Sequence, residues 1–329
     1  MVTIRDVAEH AGVSVSTVSH AISGKRPISQ VTRQRIFQAI EQLGYEPNPA
    51  ARALRTKSTG VIGFFAFDIT EVFAARIIHG VERIVREKNC FLLFTSGVGF
   101  NYDLAQGIDF LRKRRVDGII IAYGVRQEIS PKTFDLSNIP LVTINTFVDL
   151  TIPSLHPDDF QGGKEAALHL VSKQARHPAM IAGPENRLAS KERLLGFQKG
   201  LEECGMPFDA SEMVMYGDFG AESGSYCFDA LLKACPDLDA VFCANDYMAA
   251  GAINRAITSG ISIPQDMHII GYDDREFAAF WPIPITTFAQ PLEYMGELGA
   301  TMLFERIDGH NPEPSMIKLA PTLIARQSS

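Results

Sequence analysis

Three sets of side chains in this 329-residue chain have types and spacings that could do chemistry. The first is Ser14-Val15-Ser16-Thr17, with His20 one helical turn after Ser16. These side chains are small or hydrogen-bonding, which suits close approach to base edges in a DNA major groove, whereas a solubility face would carry Lys and Glu. The second is Ala51-Arg52-Ala53-Leu54-Arg55, an apolar side chain framed by two guanidinium groups. It fits a wedge at a minor-groove step whose neighbours hold phosphate, and it equally fits a leucine packed on a protein surface. The third set is dispersed. Asp68, Asn145, Asn245 and Asp273 each follow an apolar run, Arg193 lies in Ser190-Lys191-Glu192-Arg193, and Phe219 lies in Gly217-Asp218-Phe219. A guanidinium fork and a carboxylate both engage vicinal hydroxyls, and an aromatic face covers the apolar side of a ring. The same residue types also serve as helix caps and core, so position alone leaves both readings open.

Local elements must hold these groups in place. Thr3 caps a predicted helix whose apolar residues Ile4, Val7, Ala8 and Ala11 follow helical spacing, with Gly12 as the stop. Ser14 caps a second helix through Ile22 that turns Val18, Ala21 and Ile22 inward and Val15, Ser16, Ser19 and His20 outward, before Gly24. Two short helices across a tight turn make a helix-turn-helix, and a third helix over 31–43 closes a small core through Ile36, Ala39, Ile40 and Leu43. Asn48-Pro49 then starts a two-turn helix, which is marginal by itself in water and orders only when something holds it.

After Gly60, apolar strands alternate with amphipathic helices: strands at 61–67, 90–95, 116–122 and 141–145, with helices near 73–88 and 102–114. The pattern resumes with a helix near 160–172 and strands at 179–182, 213–216, 240–244 and 268–272. Continuous apolar strands between helices imply parallel sheets covered on both faces, and the repetition implies two lobes. A cleft between them, lined by loops at the carboxyl ends of the strands, is the natural ligand site. The expected fold is α/β: a three-helix DNA-binding head over 1–46, a hinge helix and linker over 47–60, and a two-lobed body over 61–329.

Charge supports that division. Residues 1–60 hold eight Lys/Arg against four acids, a net of +4, so the total of −7 leaves −11 on the remainder. A basic head on an acidic body suits polyanion binding. The five cysteines are odd in number and form no C-x-x-C pair, so they read as buried reduced thiols rather than disulfides or a zinc site. There is no 18-residue apolar run, and Arg5, Asp6, Glu9 and His10 interrupt any signal-peptide core, which places the expected protein in the cytoplasm without membrane contact. Nucleotide-binding glycine motifs, G-x-S-x-G and H-E-x-x-H are all missing, and the eight histidines lack metal-ligand spacing. Neither an enzyme nor a metal or cofactor site is expected. A solute-binding protein of transport type would share the body, but it would need a signal sequence and no basic head.

The run from Thr3 to His20, the Tyr45-x-Pro47-Asn48 link, Ala51-Arg52-x-Leu54 and Gly271-Tyr272-Asp273-Asp274 together resemble the lactose/galactose repressor family of bacterial regulators, across essentially the whole chain. The head is most similar to the purine-repressor branch, which likewise has His at the position of His20. The resemblance implies a homodimer on near-palindromic double-stranded operator DNA, with the second helix in the major groove and paired hinge helices prying open the minor groove. It implies DNA contacts at Thr3, Ser14, Val15, Ser16, Thr17, His20, Arg26, Ala51, Leu54 and Arg55, with Leu54 as the wedge. Val15 departs from the polar residue often found there, so it reads a thymine methyl or no base. The body implied is periplasmic-binding-protein-like, its lobes (61–159 plus 291–319, and 160–290 plus 320–329) interwoven by crossings near Asp159, Gln290 and Ala320. Effector contacts implied are Phe73, Asn145, Arg187, Arg193, Phe219, Asn245, Asp273 and Gln290. Ala189 stands where purine binders carry a hydroxyl, and Asn145 where many sugar binders carry an acid. A sugar or sugar derivative is therefore the first effector class and a purine the second.

If Leu54 is a wedge, Leu54→Ala will weaken binding to a selected operator far more than binding to random duplex. Equal losses on both, measured by fluorescence anisotropy, would refute that role.

Overall fold

The computed structural model describes residues 2–24, 26–46, 58–66, 72–97, 104–122, 139–146 and 152–329. The hinge segment 48–55, with Ala51, Leu54 and Arg55, lies outside the described residues, as does Asp68.

The head is three helices, α1 (Ile4–His10), α2 (Val15–Ser23) and α3 (Gln30–Leu43). The Thr3 backbone N–H and hydroxyl both donate to the Asp6 carboxylate, at 2.7 and 2.8 Å, which fixes the start of α1. Ser14 and Ser29 accept from Thr17 and Thr32 backbone N–H groups at the starts of α2 and α3. Gly24 and Gly44 end those helices in the left-handed region, at φ 66° and 60°. Val7, Ala8, Ala11, Val18, Ala21, Ile36 and Ala39 form one shared core.

The body begins at a carboxylate anchor. Asp117 accepts from the Ser58 hydroxyl at 2.6 Å and from the backbone N–H groups of Thr59 and Gly60, each at 2.7 Å, tying the incoming chain to the first sheet. That sheet holds β1 (Val61–Ala66), β2 (Phe91–Ser96), β3 (Gly118–Ala122), β4 (Leu141–Ile144), β5 (Ser154–Pro157) and β11 (Met316–Leu319), in the order β11-β5-β4-β3-β1-β2. Every pairing in it is parallel. Helices cover both faces, so alternate side chains enter different cores. Ile62, Phe64 and Ala66 meet α4 (Val72–Glu87) and α11 (Leu292–Ile307), while Phe65, Ile119 and Ile121 meet α5 (Leu104–Lys113).

The second sheet, ordered β7-β6-β8-β9, is also parallel and comprises β6 (Pro178–Ala182), β7 (Val214–Tyr216), β8 (Ala240–Cys243) and β9 (His268–Ile270). Around it lie α6 (Asp159–Ser172), α7 (Leu188–Glu203), the single turn α8 (Ala210–Met213), α9 (Ala221–Ala234) and α10 (Asp246–Thr258). Two short strands, β10 (Thr287–Ala289) and β12 (Thr322–Ile324), pair antiparallel. The chain thus passes between the lobes between β5 and α6, between β10 and α11, and between β11 and β12.

Of the five thiols only Cys243 is buried, so the expectation of buried cysteines is corrected. Cys204 and Cys235 close the ends of α7 and α9, where the backbone turns back toward solvent, and Cys90 precedes β2 at the sheet's edge. None of the five is in a disulfide.

The crossing of α6 and α7 depends on missing side chains. A Cβ on Gly163 would collide with the Arg193 carbonyl, and one on Gly196 with the Phe160 carbonyl, so the two backbones touch without side chains between them. Gly163→Ala should therefore force the helices apart at a cost of about 1–3 kcal/mol. That would appear as a melting temperature lower by several degrees in circular dichroism, whereas an unshifted melt would show that the crossing has room to spare.

Candidate functional site

On α2, residues 15, 16, 19 and 20 share one face, and both Val15 and Ser16 are exposed on it. The Ser14 hydroxyl bonds those of Ser16 (2.7 Å) and Thr17 (2.8 Å), so the helix start presents an ordered hydroxyl cluster. His20 is half-buried in the last turn, and Arg26 and Thr3 are exposed. Ala51, Leu54 and Arg55 fall outside the described residues.

In the body, three of the expected residues, Arg193, Asp273 and Gln290, come together. Arg193 projects from α7 toward the carboxyl ends of β8 and β9, almost fully buried. Its Nε donates to Asp159 Oδ1 at 2.8 Å, Nη1 donates to the Ala244 carbonyl, and Nη2 lies 3.7 Å from Asp273 Oδ1. The guanidinium carbon sits 3.7 Å from the centroid of the Tyr272 ring. Burial opposes the charge on Arg193, but the carboxylates of Asp159 and Asp273, with Tyr272, raise its pKa overall. The cation is therefore fixed, and both carboxylates are aimed by it.

Asp273 follows β9 at φ 108°, a conformation that an L-residue holds only under constraint. Gln290 Nε2 donates to its Oδ1 at 2.8 Å, while Gln290 Oε1 is buried with no hydrogen-bond partner among the described residues. Asp274 turns the other way and receives Arg326 Nη2 at 2.6 Å, so the adjacent acids do not form a dyad. Phe219, at φ 72°, rests over Gly183, where any Cβ would strike its ring.

Other expected residues have duties already. Asn245 caps α10, accepting from Met248 N–H at 2.9 Å and donating to the Phe219 carbonyl at 2.9 Å, so its amide positions the phenylalanine. Phe73 is 2% exposed and lies under the Arg275 guanidinium at 4.4 Å, with Tyr247 at 5.2 Å from the same cation. Asn145 sits half-buried after β4 at φ 51°, its N–H donating to the Leu155 carbonyl at 2.7 Å. Arg187 stands exposed at the start of α7, outside the buried cluster.

Sequence reasoning missed Asp159 and Asp246. Each is the first residue of its helix and follows a residue that already caps it, Asp158 for α6 and Asn245 for α10. A polar pair at a helix start was the available signal: one member satisfies the cap and the other is surplus. Asp246 accepts from the Thr287 hydroxyl at 2.6 Å and the Arg275 backbone N–H at 2.7 Å. Burial, then the Asp273 charge, pushes it up to about 8 despite those bonds. Burial also raises Asp273, to about 6, against the pull of Arg193 and Arg275. Burial thus disfavours charge on both neighbouring acids, most on Asp246, whose two oxygens are already engaged by Thr287 and Arg275.

Residues 3–48 match the model for bacterial regulatory proteins of the lacI family, and residues 167–329 match that for a periplasmic binding protein-like domain. The HTH-type transcriptional regulator CelR of Thermobifida fusca is 34% identical over 337 residues, covering 99% of this chain and 98% of that protein. The transcriptional repressor PurR of Pasteurella multocida is also 34% identical, over 334 residues, covering 100% and 98%. Among solved structures, a CelR–cellobiose complex superposes with a TM-score of 0.72 at 31% identity, covering all of both chains. The Lac repressor dimer bound to operator and the anti-inducer ONPF gives a TM-score of 0.80 at 25% identity, covering 99% and 98%.

The raised carboxyls give a signed pH dependence. The folded chain holds protons on Asp246 and Asp273 more tightly than the unfolded chain, so their stabilisation is lost as pH climbs from the unfolded toward the folded values. His169, depressed to about 4 chiefly by burial, works in the opposite sense, losing stability as pH falls from 6.5 toward 4. The two effects oppose each other below pH 6.5, and above it Asp246 dominates. The melting temperature should fall between pH 6.5 and 8, and Asp246→Asn should flatten that slope; a variant with the parent's slope would assign it elsewhere.

Proposed function

The chain belongs to the lacI family of bacterial regulatory proteins, and from that premise we propose that it is a homodimeric repressor whose operator affinity is set by a sugar in the inter-lobe cleft. It is a DNA-binding transcriptional regulator with an effector-binding body. Its matched relatives are named as regulators, and no described helix is long and apolar enough to cross a membrane.

The observation that carries the cleft reading is the buried set Arg193, Asp159, Asp273 and Gln290. A cation, two acids and an amide whose oxygen lacks a partner among the described residues are costly to desolvate. Arg193 and Asp273 would engage vicinal ring hydroxyls, Gln290 would use its free oxygen, and Phe219 would cover the ring's apolar face. The cellobiose seen with CelR supports a sugar over the purine suggested by the PurR relatives. Asn245 acts by holding Phe219, and Phe73 through Arg275.

In the head, Val15, Ser16 and His20 would meet base edges, Ser14 and Thr17 the backbone near the helix start, and Thr3 and Arg26 phosphate. Ala51, Leu54 and Arg55 would complete the grip in the minor groove. Three large apolar side chains, Phe91, Tyr226 and Phe280, are 76%, 66% and 83% exposed, as expected where a second copy packs, and the similar Lac repressor structure is a dimer. A ligand changes DNA affinity only by binding the two states differently, so the cleft must differ between operator-bound and free dimers.

Fluorescence anisotropy with a duplex selected against this protein, with and without sugar, tests the whole scheme. Binding should be salt-sensitive and at least tenfold tighter than to random duplex. Asp273→Ala should keep apo affinity within about twofold and abolish the sugar's influence. A variant that still responds fully would remove Asp273 from the site, and no preference for the selected duplex would sink the regulator reading.

A further inference from the structure

We propose that the first lobe itself grips DNA: the basic turn Arg112-Lys113-Arg114-Arg115 is a phosphate-binding edge that meets the duplex backbone beside the hinge step. This rests on the regulator reading given above, with Leu54 in the minor groove, and extends it by giving the body a DNA contact of its own. Four consecutive cations stand out here, because the chain beyond residue 60 carries a net charge of −11. All four are exposed, between buried Leu111 and Val116.

Topology decides where this turn lies. The strands β2 and β3 belong to one parallel sheet, so α5 between them carries the chain back from the end of one to the start of the other. The basic turn is therefore at the edge where β1 and β3 begin, opposite the carboxyl ends of the strands, and the chain from the head arrives at that same edge. The junction is direct. The Thr59 hydroxyl donates to the Arg115 carbonyl at 2.9 Å, the Asp117 N–H donates to the Val61 carbonyl at 2.8 Å, and the Asp117 carboxylate holds residues 58–60. Thr59 follows Leu54 by five residues, at most about 18 Å of fully extended chain. A minor groove is only about 6 Å wide, so with Leu54 in it, phosphates of both strands flank the point to which the turn is tied.

Cations in a last helical turn are ordinary where they offset the helix dipole, and one or two suffice for that. This run exceeds the need. Lys113 already pairs with Asp109 at 2.6 Å, and the Arg114 guanidinium carbon lies 4.7 Å from the Phe110 ring centroid while the residue stays exposed. Arg115 is the informative residue. It stands at φ 54°, its N–H donating to the Arg112 carbonyl at 2.8 Å, in a left-handed position after the helix where glycine or asparagine is usual. An arginine there is held at a conformational cost, and a guanidinium required at that point accounts for it. The acids flanking the run are engaged, Asp109 by Lys113 and Asp117 by residues 58–60. The planar donor forks of Arg114 and Arg115 suit phosphate oxygens, a contact that positions the protein without reading sequence.

Fluorescence anisotropy of the full-length protein on a selected operator duplex, repeated across a salt series, tests the proposal with the double variant Arg114→Gln, Arg115→Asn. Asparagine suits the left-handed turn better than arginine, so the melting temperature should not fall. Affinity at low salt should drop about tenfold or more, and the slope of log affinity against log salt should become shallower by about 2 to 4, since each lost phosphate contact contributes about 0.9 and a dimer carries two copies of each arginine. On a duplex with neutral methylphosphonates at the phosphates bordering the central step, parent and variant should bind within twofold of each other. A variant that keeps the parent's affinity and slope overturns the body contact alone, as does a deficit that persists in full on the methylphosphonate duplex. Weaker DNA binding that only follows loss of the dimer in sedimentation overturns it too, by assigning the turn to the acidic surface of a second copy. A parent protein that does not prefer the selected duplex overturns the regulator reading and the body contact with it.

Discussion

The body is organised around one buried cation. Arg193 can stay charged in the interior only if acceptors surround it, and they come from separated parts of the chain: Asp159 at the start of α6, the Ala244 carbonyl after β8, Asp273 after β9 and the Tyr272 ring beneath. Each acceptor is thereby fixed. Removing the guanidinium would leave Asp159 and Asp273 buried and unneutralised, with Asp246 already carrying the strain of a third acid nearby. An arrangement so costly to desolvate is poor evidence of stability and good evidence of a site that needs charged groups held rigid.

Topology explains why those acceptors can meet. The chain passes between the lobes three times, and each passage lies close to the cluster. Asp159 opens the helix after the first crossing, and Gln290 ends the strand before the second. Near the third, Pro321 packs where a Cβ on Gly162 would stand, against Tyr272. A residue at a crossing belongs to neither lobe alone, so its geometry registers how the lobes are disposed. The same logic gives Arg275 its place, over Phe73 of the first lobe and near Tyr247 of the second. A cation–π contact of this kind contributes about 0.5–2 kcal/mol, enough to bias a closure without locking it.

Much of this was legible from the residues. Ser14 and Ser29 announce helix starts, Gly24 and Gly44 their ends, and the outward face of α2 carries the small polar side chains that a groove reader requires. The long central strands were plain because burial on both faces makes them continuously apolar. The short strands β5, β11 and β12 were not, since runs of three or four residues with polar members hold no period. Asn245 was read as a ligand contact and the structure shows its amide capping α10, a duty that an amide at a strand end does not reveal until its partners are known. Asp159 and Asp246 were hidden by the same ambiguity in reverse: acids at helix starts pass for caps, and only the structure shows that Asp158 and Asn245 already hold those posts.

The surplus acids also bear on how the cleft speaks to the head. As first residues of their helices, Asp159 and Asp246 sit at positive dipole ends that favour a negative charge, yet burial drives Asp246 the other way. On the proposed reading, an entering ring that hydrogen-bonds Asp273 would alter the charge felt by Asp246, which holds the Arg275 backbone, and the Arg275 side chain contacts Phe73 on the first lobe. The first lobe is where Asp117 grips residues 58–60, the stretch of chain that follows the hinge segment. A ligand that repositions the lobes therefore moves the point from which the hinge emerges, and in a dimer two such points set the spacing presented to DNA. What the effector must change is the separation of two anchors, and for that a rigid cleft serves better than a compliant one.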